Sequence, residues 1–345
     1  MRQAVKILVL RILKACGAFT ISRRLTRGKI RILCYHGISV GDQHQFEPLL
    51  FMRPQTFEKR LRALVAQGWR VVDLGTAVRE LRDNKLPNDT VVVTIDDGWV
   101  STAVEAAPLL ARHNIPATLY VTTYYAEREA DVFNVALYYM AWKTALSRVT
   151  LRTGHDELDG DYALKPDWVQ AAQHWIKFGN SNLSWEQRQE LLGVIARALE
   201  LDPAEVLAAN RFRIVNAQQI KALKDMGIDI QLHTHRHHLP NESFEALQSE
   251  ILENQQRLEK WIGARCEHFC YPSGVYTMQQ SEWLARMGLA SSTTCDQGFN
   301  DSQSHPHRLK RILDRETWSD LEFEAVMSGV TSWNWRRTET APPRE

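Results

Sequence analysis

Two stretches of this sequence hold side chains whose types and spacing could do chemistry. Asp96 and Asp97 stand side by side at the end of the apolar run 90–95, and Gly98 follows, where the backbone can turn away without a side-chain clash. The second stretch, His233-Thr234-His235-Arg236-His237-His238, follows the apolar run 228–232. His233 and His237 are four positions apart, so one helical turn or a tight loop presents both imidazoles to a single ion. With an aspartate they make a three-ligand set that keeps coordination positions open, as catalytic metal sites do. An aspartate pair alone would equally suit a helix cap, and a histidine-rich loop would equally suit solvent. The shared location at strand ends decides for Asp96, Asp97, His233 and His237, whereas His235 and His238 read as solvated loop residues.

Two smaller features arrive at the same rim. His36 follows the apolar run 32–35 and is a candidate proton donor. Tyr271-Pro272-Ser273-Gly274 follows a short strand from His268, and this turn is a candidate source of backbone N–H groups for an oxyanion.

These residues need elements that bring them together. Residues 30–35, 90–95, 117–121, 228–232 and 268–271 read as short strands. The run 90–95 is nearly all β-branched, the pattern of a strand buried on both faces of a parallel sheet. Residues 54–67, 76–84, 101–113, 216–226 and 243–262 repeat apolar residues at helical spacing, so strand and helix alternate and the architecture is α/β. In such folds the carboxyl ends of the strands line the active-site face. Residues 124–210 change to long helical periods and read as a helical insertion. Its Trp142, Trp168, Trp175 and Trp185 suit core packing better than sugar platforms, and Arg211 and Arg213 near its end are placed for anionic groups. The tail 336–345, with Pro342 and Pro343, reads as disordered.

Composition narrows the class. With 345 residues, 44% apolar content, 24% charged content and a net charge of +1, nothing in the bulk properties points to nucleic acid. The five cysteines, Cys16, Cys34, Cys266, Cys270 and Cys295, are odd in number and lack paired CxxC spacing, which fits a reducing compartment and a cytoplasmic location. Residues 1–29 form a basic arm: Met1 to Arg31 holds nine cations and no acid. Cations interrupt each apolar run too soon for a secretory signal or a spanning helix. On a helix Val5, Leu8, Val9, Ile12 and Cys16 share one face, so residues 1–24 suit peripheral contact with an anionic membrane, at its inner face, as well as they suit packing on the domain.

Thr94-Ile95-Asp96-Asp97-Gly98 followed by His233-Thr234-x-x-His237 resembles the paired motifs of the polysaccharide deacetylases, the NodB-homology group or carbohydrate esterase family 4. The similarity runs in order from about residue 30 to 313, with a catalytic domain over 30–325, and takes in Tyr35-His36-Gly37 and the Tyr-Pro-x-Gly turn. It implies a distorted parallel (β/α) barrel and a divalent metal, most commonly zinc, held by Asp97, His233 and His237, with Asp96 as base. It further implies an acetylated glycan as substrate and a hydrolase that removes N-acetyl groups from amino sugars of a polysaccharide, oligosaccharide or lipid-linked precursor. An O-acetyl esterase, a deformylase and an inactive carbohydrate-binding protein are the alternatives. Ile95 replaces the usual Phe, and Cys270 stands where the pattern has Arg. The late Leu-x-His motif is missing, which leaves His36, His305 or His307 as the acid, with His36 preferred.

Overall fold

The computed structural model describes residues 2–208 and 211–332. Seven strands, each buried along most of its length, pair side by side in chain order, all parallel: β1 (Arg31–Tyr35), β2 (Thr90–Ile95), β3 (Thr118–Val121), β4 (Asp229–Leu232), β5 (His268–Cys270), β6 (Ser291–Gln297) and β7 (Leu309–Leu313). β1 closes the circle, since Tyr35 pairs with Ile95 of β2 while Cys34 pairs with Leu313 of β7. The result is a closed parallel barrel surrounded by helices, as the resemblance implies. A two-residue edge strand, Arg70–Val71, adds to the start of β2.

Alternation along the strands separates two cores. Leu33, Val91, Val93, Leu119, Val121, Ile230 and Leu232 belong to the large cluster between barrel and helices. Ile30, Ile32, Val92, Tyr120, Cys270 and Leu309 form a smaller one inside, where helix Leu74–Arg82 plugs the amino-terminal end with Leu74, Ala77, Val78 and Leu81. The inward parity matters for function. Continued past the strand ends, it carries Cys34 to His36, Thr94 to Asp96 and Gln231 to His233, so three of the polar residues singled out from the sequence point to one mouth.

Between β3 and β4 the chain builds an outlying unit from helices Phe133–Lys143, Val169–Asn182 and Trp185–Ala198. It also holds an antiparallel hairpin, Arg148–Leu151 with Gly160–Ala163. Trp175 is fully buried, and Trp142 and Trp168 pack against the main core, so these indoles act as packing groups. The expectation of a disordered tail at 336–345 lies outside the described residues.

At the amino terminus two helices, α1 (Arg2–Ala15) and α2 (Ala18–Leu25), dock on the last described helix, α3 (Asp320–Ser328). Leu10, Leu13 and Phe19 meet Leu321, Ala325 and Val330 there, and Lys6 and Lys14 pair with Glu322 and Glu324.

Candidate active site

The carboxyl ends of β1, β2, β4 and β5 converge on the mouth of the barrel. Asp96, leaving β2, keeps the inward parity and points down into the barrel. Asp97 should then face outward, but its backbone is left-handed (φ 70°), which breaks the alternation and returns its carboxylate to the mouth. Thr234 (φ 62°), His237 (φ 57°) and Ser273 (φ 55°) share this conformation, which costs an L-residue about 1–2 kcal/mol. Four such residues around one mouth mark a site where function outweighs local backbone preference.

His233 and Asp97 define the first cluster. Nε2 of His233 lies 3.2 Å from Asp97 Oδ1, and Nε2 of His237 lies 3.3 Å from the same oxygen. The opposite nitrogen of His233, Nδ1, is 2.9 Å from the Cys270 carbonyl, which can only accept; Nδ1 therefore carries the proton and Nε2 offers its lone pair at the mouth. The other oxygen of Asp97 accepts a bond from the Trp99 indole at 2.8 Å. Burial alone would raise the Asp97 pKa, but the two imidazoles hold it well below the ordinary carboxylate value. Burial likewise opposes the charge on His233, and its bond to Asp97 raises its pKa nonetheless.

Two imidazole nitrogens and a carboxylate oxygen, all within 4.8 Å of one another, are the donor set for a divalent ion of borderline character such as zinc. The set fits in three further respects: the tautomer of His233 is fixed, the second oxygen of Asp97 is anchored, and His237 is partly open to solvent, which leaves access for substrate. Among the described residues, two other groups are as close-set, Cys34 with His36 and Asp96, and Asp96 with His233 and Cys270, and both adjoin this one through Asp96 or His233.

Asp96 belongs to a second cluster just below. Its two oxygens each take a bond of 2.7 Å from the Arg311 guanidinium, which rises inside the barrel from β7 and is itself fully buried. The thiols of Cys270 and Cys34 lie 3.4 and 3.6 Å from Oδ2. Burial would push the Asp96 pKa up; the charge and the paired bonds of Arg311 overcome it and hold it down at about 2. Asp96 is thus an anion, with a carboxylate oxygen within 4.8 Å of a His233 ring nitrogen. Cys270 touches both members of the pair, Arg311 Nη2 at 3.2 Å, so a guanidinium from another strand lies beside the position where the third motif has its arginine. Sequence reasoning missed Arg311. The alternation of β7, Leu309-Lys310-Arg311-Ile312, gives a cation inward parity, and that was the available signal.

His36 sits at the rim of this pair, Nε2 3.8 Å from Asp96 Oδ2 and partly open to solvent. His305 and His307 do not join it. They precede β7 in a parallel barrel and so lie toward its other end, where His307 is buried against Ser292 Oγ at 3.0 Å and burial pushes its pKa down to about 4. His235 is buried on Thr123 Oγ1 at 2.8 Å and near Glu253, and His238 is exposed. In the turn after β5, the Tyr271 N–H bonds to the Thr293 carbonyl, Pro272 has none, and the Gly274 N–H bonds back to Tyr271. Among the described residues the Ser273 N–H has no hydrogen-bond partner. The Tyr271 ring is buried, with its hydroxyl donating to the His307 carbonyl, and so supports the turn from below. Gly274 is required sterically as well as by its φ of 69°, since a Cβ there would stand 2.3 Å from that of Cys295.

The family model for polysaccharide deacetylase matches residues 83–155 and 201–291, passing over most of the outlying unit and spanning both ligand motifs. Over these residues the chain is similar to the polysaccharide deacetylases. The fold is similar to that of the Streptococcus pyogenes deacetylase PplD in complex with acetate (TM-score 0.58, 19% identity, covering 88% of this chain and 99% of that one). It is similar to IcaB from Ammonifex degensii (0.55, 18%, 87% and 97%) and to a de-N-acetylase from Aggregatibacter actinomycetemcomitans (0.54, 14%, 86% and 99%). Comparison with curated protein sequences gives no match.

Proposed function

We propose that this chain hydrolyses N-acetyl groups of amino sugars in a glycan or lipid-linked glycan precursor, releasing acetate, with a divalent metal held by Asp97, His233 and His237. The observation that carries the reading is the pairing of two clusters at one mouth: a three-donor set and, directly beside it, a carboxylate kept ionised by Arg311. The printed descriptions of two structural neighbours, a deacetylase complexed with acetate and a de-N-acetylase, support the same chemistry.

A divalent ion in the donor set supplies Lewis acidity, lowering the pKa of water and polarising an acyl oxygen. The rest is work for the chain. Asp96 accepts the proton of the attacking water, and Arg311 holds its carboxylate in a single orientation for that transfer. The Ser273 N–H donates to the oxygen that becomes negative as the acetamide carbon turns tetrahedral. His36, at the open edge of the pair, gives a proton to the departing amine, which would otherwise leave as an unstable anion. Asp97 takes no part in proton transfer, since the Trp99 indole anchors one of its oxygens and the other stands with the two imidazole nitrogens in the donor set.

Acetate release from N-acetylglucosamine oligomers by the metal-loaded protein, with Asp96→Asn and His233→Ala as controls, tests the reading. Release by the wild type and its loss in both variants is expected. Absence of release from every N- and O-acetylated sugar with metal bound would overturn it, and release from O-acetylated sugars alone selects the esterase.

A further inference from the structure

The basic arm has two apolar faces, and the domain uses only one. In α1, Leu10 and Leu13 turn toward α3, with Lys6 and Lys14 pinned on Glu322 and Glu324 along the same side. Val5, Leu8, Val9 and Ile12 occupy a separate arc of about 100° on the helix. They stand 55%, 57%, 47% and 54% exposed. Sequence patterning grouped these four with Cys16 on one face, and that face is open, with Cys16 exposed too. A row of four large aliphatic residues left in water on a helix already fixed to its domain has a use only if something covers it.

Charge identifies the cover. No acidic residue precedes Asp42 in the chain. Arg11, beside the stripe, and Arg24 of α2 are exposed with no acidic partner among the described residues, while Lys6 and Lys14 remain half exposed in their pairs. A second copy of the chain would bring the cations flanking this stripe against their own copies, because a two-fold interface pairs one surface patch with itself. A surface that is apolar at depth and anionic above it answers both features. Among the described residues no helix is long and apolar enough to cross a membrane. We infer that α1 lies in the plane of an anionic lipid bilayer, with Val5, Leu8, Val9 and Ile12 entering the acyl boundary and Arg11 among the headgroups, while Leu10 and Leu13 keep the catalytic domain attached.

The stripe is pre-formed, so binding does not have to bear the cost of folding the helix. Its exposed positions also make clean variants. The full chain is mixed with vesicles of phosphatidylcholine alone or with one quarter phosphatidylglycerol, and the bound fraction is read by flotation. Wild type binds the anionic vesicles and loses that binding as salt rises. Leu8→Glu/Ile12→Glu binds at least about thirtyfold less, with the melting temperature of the wild type. Arg11→Glu weakens binding to anionic vesicles by about fivefold or more and leaves the weak binding to neutral ones unchanged. Equal binding by wild type and the double variant overturns the inference, as does no binding to either vesicle. A wild-type dimer that the double variant dissociates, without vesicle binding, overturns it in favour of a second copy. Acetate release by the double variant from soluble oligomers stays at the wild-type rate, which separates this surface from the active site.

Discussion

Asp96 and Asp97 are neighbours in the chain and opposites in their surroundings. Asp97 shares its oxygens with two imidazoles and an indole at the open mouth. Asp96, one residue earlier, faces a guanidinium and two thiols in the buried interior. A single left-handed residue divides them. The mouth cluster consists of donors that need a cation; the interior cluster brings its own cation in Arg311. Hence one carboxylate is free to be a ligand and the other to be a base, and exchanging their roles would require exchanging their environments.

The largest effect should come from the mouth. His233→Ala removes a ligand and frees Asp97 Oδ1, so bound metal should fall from one per chain to none and kcat/KM by about 10⁴ or more, the scale of a lost catalytic ion. Elemental analysis beside the kinetics checks both. Asp96→Asn breaks the comparison from the other side: activity should fall by about 10²–10⁴ while metal content stays at one per chain. Loss of metal in Asp96→Asn would show that the two clusters are one ligand set.

Arg311→Met tests the interior cluster as a structural unit. It leaves a buried carboxylate without its counter-charge, which should cost about 3–5 kcal/mol in urea unfolding. Adding Asp96→Asn should recover much of that loss, since the charge that suffered is gone. Recovery in the double variant is the decisive reading, because a merely cavity-forming substitution would be no better tolerated with asparagine at 96.

How these clusters could be anticipated from the sequence differs as well. β2 and β4 are apolar runs that end in their functional residues, so strand, end and site are legible together. β6, Ser-Ser-Thr-Thr-Cys-Asp-Gln, hides because its four buried positions are Ser and Thr and its composition resembles a loop. β7 hides because Arg311 and Lys310 interrupt the apolar run that would mark a buried strand. The feature that obscures β7 is the feature that makes it functional: a buried arginine is tolerable only opposite a carboxylate, and that partner lies 215 residues away. The third-motif departure at Cys270 marked the gap without showing what fills it. The hairpin in the outlying unit was obscured by its half-polar strands, whereas α1 showed its apolar stripe plainly but not which of its faces the domain takes.

His36 stands between the two clusters, and its substitution sharpens the boundary. His36→Ala should lower kcat by about 10²-fold on an N-acetyl substrate with little change in KM, and less on an O-acetyl ester, whose leaving group needs less protonation. An equal loss on both substrates would make His36 a positioning residue for Asp96.

The smallest expected effect concerns the thiols. If the interior cluster is dry, its cysteines should be protonated and inaccessible. Burial pushes the Cys34 and Cys270 thiols well above their ordinary value, the charge of Asp96 adds to it, and Arg311 only partly opposes. Burial also pushes Cys295 up to about 12. Since the thiolate is the nucleophile, iodoacetamide at pH 8 should label exposed Cys16 within minutes and leave the other four intact until unfolding. Mass spectrometry of peptides reads this directly. Chelation of the metal should not change the pattern, because the ion belongs to the mouth and the thiols to the interior. Rapid labelling of Cys34 or Cys270 after chelation would mean that the ion also closes the barrel below it.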